Sequence, residues 1–154
     1  MSRRATTRTA YTLVELIIVL LVISILAVVA GSRVSHSMCV QRAEGAARRI
    51  VADLEMLRAR ARHGSQQQNI VFDASTHCYT IASLVDPDRP GEPYHVSLAD
   101  LYQVQLDTVN LGGDATLLVT GHGVADSSGT IIVRSGTEAR TILIDSDTAK
   151  GEIQ

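Results

Sequence analysis

The chain has no tryptophan, one phenylalanine, three prolines and two cysteines among its 154 residues. So few aromatic rings leave little for nucleobases to stack on. The formal net charge of −2 adds no general electrostatic case for nucleic acid. Pro87, Pro90 and Pro93 all fall within residues 87–93, so no helix elsewhere has to accommodate a ring that removes a backbone donor. There is no CxxC and no HxxxH spacing, which leaves no metal-ligating pattern and no expected cofactor. The histidines His36, His63, His77, His95 and His122 are scattered. Gly121-His122-Gly123 reads as a turn without an acid, nucleophile or metal partner at readable spacing. No catalytic constellation is visible, and an enzyme is not expected.

What the chain does have is an apolar run over residues 11–30, interrupted by Glu15 and Ser24. About 20 such residues are what a helix needs to cross a hydrocarbon core. The nine residues before Ala10 contain Arg3, Arg4 and Arg8 and no acid, a flank that predicts a cytoplasmic N-terminus and an exported remainder. Glu15 is the anomaly, because a carboxylate in hydrocarbon costs roughly 2.5–3.5 kcal/mol even on lenient scales and is a functional hypothesis by default. Three readings fit the residues. One is a plain signal anchor with Glu15 near the interface. Another is a secretory signal cut after Val28-Val29-Ala30. The third is a leader cut before Tyr11, with the apolar run retained.

Thr9-Ala10-Tyr11-Thr12-Leu13-Val14-Glu15, followed by the long apolar stretch, resembles the prepilin cleavage and N-methylation motif of type IV pilins and type II secretion pseudopilins. Ala10 stands where that family usually has Gly, Tyr11 where it has Phe, and Glu15 where it has Glu. The resemblance implies cleavage by prepilin peptidase between Ala10 and Tyr11, methylation of the Tyr11 amine, and an assembly role for Glu15. In a packed filament Glu15 of one subunit would meet the Tyr11 amine of the next. Two unit charges about 4 Å apart are worth about 4 kcal/mol at an effective dielectric of about 20, before desolvation is subtracted. Removing residues 1–10 leaves 11 basic against 16 acidic side chains, a net charge of −5.

Past the apolar run the helical period continues. Ala43, Ala47, Ile50, Leu54, Leu57 and Ala61 form one amphipathic face, with Arg48, Arg49, Arg58 and Arg62 opposite. Glu44 precedes Arg48 by four residues and Glu55 precedes Arg58 by three, both supportive helix pairs. Basic residues crowd the end of this helix and Gly64 terminates it, so the helix is expected over 11–63. Strands are expected at 69–73 and 78–83 with a hairpin between them. Others are expected at 94–98, over the alternation of Tyr102, Val104 and Leu106, and at 115–120, 130–134 and 140–145. The proline-bearing segment 86–93 is an exposed loop whose acids lack the order of a calcium loop. A long helix followed by antiparallel strands is an α+β layout.

The helix exit at 58–64 leading into 69–73, the segment 129–133 and the segment 141–144 with Gly151 are similar to GspH/FimT-type minor pseudopilins. The expected division is a leader 1–10, a transmembrane or filament-core helix 11–31, an amphipathic continuation 32–63 and an exported β domain 64–154. In an exported domain Cys39 and Cys78 are a candidate disulfide. The resemblance implies a minor pseudopilin that joins other pilin-like subunits in the periplasmic filament of a type II secretion system. It would be held in the inner membrane with its N-terminus cytoplasmic, with secreted cargo as a further partner. A minor type IV pilin, linked to pilus assembly or DNA uptake, is the alternative of the same class. A membrane-anchored or secreted β-rich enzyme is the alternative of another.

Overall fold

The first helix, α1, covers Leu13–Gly64 and ends one residue past the expected boundary. The computed structural model describes residues 12–154, apart from the side chains of 28–34, so Ala10 and Tyr11 lie outside the described residues. Contacts divide the chain into two units, and the division falls inside α1 between Ser37 and Met38. From Leu13 on, the first unit is helical.

The second unit begins with the remainder of α1, where Ala43, Ala46, Ala47, Ile50, Leu54, Leu57 and Ala61 are all buried. Steps of three and four put them on one stripe, the face that a helix must cover. The cover comes from eight strands in two antiparallel sheets. The strands are β1 (Gln68–Asp73), β2 (Cys78–Val85), β3 (Pro93–Ser97), β4 (Gln105–Leu111), β5 (Thr116–Val119), β6 (Gly129–Ser135), β7 (Glu138–Asp145) and β8 (Lys150–Ile153). One sheet has the order β3-β2-β1-β5 and the other β4-β6-β7-β8. Ile70, Phe72, Tyr79 and Ile81 from the first sheet join Ile131, Val133, Ile142 and Ile144 from the second in one core with the α1 stripe.

Alternation sets the inward residues, with two departures from the sequence reading. The expected strand through Tyr102 is replaced by a short helix, α2 (Leu98–Tyr102). Ser97 caps it by accepting the Asp100 N–H, and Gln103 ends it in the left-handed region at φ 55°. The apparent period of two at Tyr102, Val104 and Leu106 therefore spans a helix end, a connector and a strand start. Along β4 a register shift between Leu106 and Thr108 lets both Leu106 and Leu111 face inward despite their odd separation. The hairpin between β6 and β7 turns on two residues, with Gly136 at φ 58° supplying the positive φ. The terminal strand β8 was not expected from the sequence.

Candidate functional site

The first described turn of α1 is capped from within. The Thr12 hydroxyl accepts the Glu15 N–H at 3.2 Å, and the Thr12 carbonyl accepts the Leu16 N–H at 3.2 Å. Thr-x-x-Glu is the spacing of a capping box, and an acid in the first turn suits the positive end of the helix dipole. Glu15 is exposed, and among the described residues its carboxylate has no ion pair. From Leu13 to Leu26 every large apolar side chain is exposed, from 73% at Leu13 to 48% at Val19. Ser24 donates its hydroxyl to the Leu20 carbonyl at 2.7 Å, so it satisfies itself without water. The result is an apolar cylinder with one carboxylate near its tip. Among the described residues no helix is long and apolar enough to cross a membrane.

In the second unit the polar chemistry holds the fold together. Asp53 sits on the buried stripe of α1 and its Oδ2 accepts three groups. These are the Tyr79 hydroxyl at 2.5 Å, the Tyr94 hydroxyl at 3.1 Å and Arg49 Nε at 3.2 Å. Arg49 also donates through Nη2 to the Tyr94 hydroxyl. Arg49 stays on the exposed side of α1, as expected, while its guanidinium reaches back to Asp53 and Tyr94. Burial first, then the charge of Asp53, pushes the Tyr79 hydroxyl well above the ordinary tyrosine value. Sequence reasoning missed this cluster. Its one legible sign was a carboxylate placed between Ile50 and Leu54 on an apolar stripe, four residues after an arginine.

A second polar link joins α1 to the other sheet. Arg140 Nε donates to Glu44 Oε2 at 3.0 Å, and Arg48 Nε to Glu44 Oε1 at 3.0 Å. The Arg140 bond foremost, then that from Arg48, lowers the Glu44 pKa from its ordinary value. The remaining candidates separate. Cys39 and Cys78, the candidate disulfide pair, are both free thiols in this structure. Cys39 Sγ lies beside the Gly136 turn, whereas Cys78 Sγ is 2.8 Å from the Thr76 hydroxyl. His122 contributes its carbonyl, which accepts Arg62 Nε at 3.2 Å. Gly123 has φ 77°, and a Cβ there would collide with the Arg62 side chain, so this turn clasps the end of α1. Among the described residues no group of three His, Cys, Asp or Glu converges on a metal-sized site.

No protein-family model and no curated protein sequence matches the chain. Solved structures do. The minor pseudopilin EpsH from the type 2 secretion system of Vibrio cholerae is similar with a TM-score of 0.56 at 18% identity, over 73% of this chain and 96% of that one. The type IV minor pilin FimU of Pseudomonas aeruginosa strain PAO1 is similar in two crystal forms. Their TM-scores are 0.55 and 0.54 at 15% and 13% identity, over 74% and 72% of this chain and 87% and 91% of FimU. This protein has the α+β fold of the minor pilin-like proteins, a long N-terminal helix packed on antiparallel sheets.

Proposed function

We propose that the chain is a minor subunit of a pilin-like filament, built into the periplasmic pseudopilus of a type II secretion system. The observation that carries this reading is the exposed apolar half of α1 in a chain with the pilin-like fold. Among the described residues nothing covers that surface, and a bundle of like helices would supply the cover. In this reading prepilin peptidase cuts between Ala10 and Tyr11, and the Tyr11 amine is methylated. Residues 11–31 reside in the inner membrane with the N-terminus cytoplasmic until assembly. Glu15 then meets the Tyr11 amine of a neighbouring subunit, and the β domain faces the periplasm, toward other pilin-like subunits and secreted cargo. The protein acts as a structural subunit and carries out no reaction of its own.

The test is the intact mass and N-terminal sequence of the protein from membranes of a host with active prepilin peptidase. A chain that begins at methylated Tyr11 is the expected result. A chain that begins at Gly31 would mean a secretory signal and sink the filament reading. A Glu15→Ala variant should be processed and inserted yet fail to enter filaments. A role in a type IV pilus is the second reading, favoured by a similarity to FimU nearly equal to that to EpsH. Loss of surface pili with export intact, on deleting the gene, would select it.

A further inference from the structure

Few large apolar side chains of the second unit stand exposed, and two of them line the same groove. Met38 is 50% and Leu101 66% exposed, on either flank of a cavity of about 380 Å³ between α1 and α2. The one charged residue lining that groove is Arg42. Leu101 also lines a second cavity of about 350 Å³, whose acids are Asp86, Asp88 and Asp100. The arginine there, Arg89, lies 3.7 Å from Glu92. Among the described residues neither Arg42 nor any of those three aspartates has an ion pair. One continuous surface therefore has an apolar centre at Leu101, with Asp100 beside it on α2, a basic side at Arg42 and a side on the β2–β3 loop where Asp86 and Asp88 flank Arg89.

We propose that this surface joins two copies of the chain in an isologous pair, with Leu101 near the two-fold axis and Arg42 of each copy on Asp86 and Asp88 of the other. In an isologous contact a patch meets itself, so it has to carry its own complement. A patch of one sign would repel its copy, whereas basic and acidic sides flanking an apolar centre pair when one copy is turned half a revolution. A foreign partner would require no such balance of signs on this chain. The apolar centre supplies affinity and the flanking charges set orientation and salt dependence. The pairing uses the second unit alone, so it stands or falls independently of how the first half of α1 assembles.

Sedimentation equilibrium of the full chain in non-ionic detergent, over a concentration and salt series, tests this. The wild type should form a pair that dissociates on dilution and weakens as salt rises. Arg42→Glu and the double change Asp86→Arg with Asp88→Arg should each weaken it about tenfold, and combining all three should restore it to within about threefold. Leu101→Ser alters an exposed side chain and should also weaken the pair, with the far-UV circular dichroism of every variant unchanged. A monomeric wild type would overturn the proposal. So would variants that pair as well as the wild type, which would place the contact on the apolar helix. Failure of the combined charge swap to recover pairing would overturn it too.

Discussion

The two parts of α1 share one backbone conformation and have opposite surroundings. In the first, twelve large apolar side chains between Leu13 and Leu26 are exposed on every side of the helix. In the second, the apolar residues form one stripe from Ala43 to Ala61, and the sheets cover it completely. The difference lies in pattern rather than in hydrophobic content. A stripe can be covered by one layer of sheet, whereas a helix that is apolar all round needs neighbours on all sides. Covering the exposed portions of twelve such side chains is worth about 30 kcal/mol at the usual value per unit area, as an upper bound. Among the described residues that driving force is left unused.

The largest effect expected from this contrast comes from equal truncations in the two halves. Leu57→Ala opens a cavity in the covered half and should lower the stability of the folded domain by about 2–5 kcal/mol. Ile17→Ala removes a side chain that is 53% exposed and should leave the urea midpoint unchanged. Urea unfolding of both variants, followed by circular dichroism, checks this. Equal losses would show that the two halves are packed alike and would break the contrast.

Next in size is the polar intrusion into the covered half. Asp53→Ala leaves the Tyr79 and Tyr94 hydroxyls without their common acceptor and should cost about 2 kcal/mol, measured by the same unfolding curves. The same cluster sets an alkaline limit. The Tyr79 hydroxyl is held neutral in the folded state well above its ordinary value of 10.0, so the unfolded chain releases that proton first. Stability is therefore intact below pH 10 and falls as pH rises beyond it. In a spectrophotometric titration Tyr79 should ionise only as the domain unfolds, and Tyr79→Phe should remove that coupling.

The contrast within α1 was largely legible in the sequence, because its two hydrophobic patterns are local. The apolar run, the Ala43–Ala61 stripe and the place of Gly64 all follow from spacing along one helix. The strands at β1, β6 and β7 were legible for the same reason, since alternation and turn residues mark them. Less was legible where the decision lies in tertiary contact. Alternation at Tyr102, Val104 and Leu106 imitates a strand, but the Ser97 cap and the left-handed Gln103 make Leu98–Tyr102 a helical turn. The division into two sheets depends on pairings between distant strands, as when β5 returns to lie beside β1. The exposure of Arg49 is legible from spacing, but its reach to Asp53 and Tyr94 is not, because the tyrosines of that cluster come from β2 and β3.

The smallest expected effect falls near the start of the covered half, where Glu44 bridges Arg48 on its own helix and Arg140 on β7. All three side chains are partly open to water, so screening takes most of the pair's value. Its signature is better sought in pH dependence than in total stability. The Arg140 bond, and after it the Arg48 bond, lowers the Glu44 pKa below 4.5, so the contribution is complete above that pH and disappears as pH falls through the folded-state value. Glu44→Gln should leave the urea midpoint at neutral pH almost unchanged and flatten its decline below pH 4.5. A large loss at neutral pH would mean that the link to Arg140 holds the second sheet on α1, as Asp53 holds the first. An unchanged acid slope would assign the covered half to apolar packing and the Asp53 cluster alone.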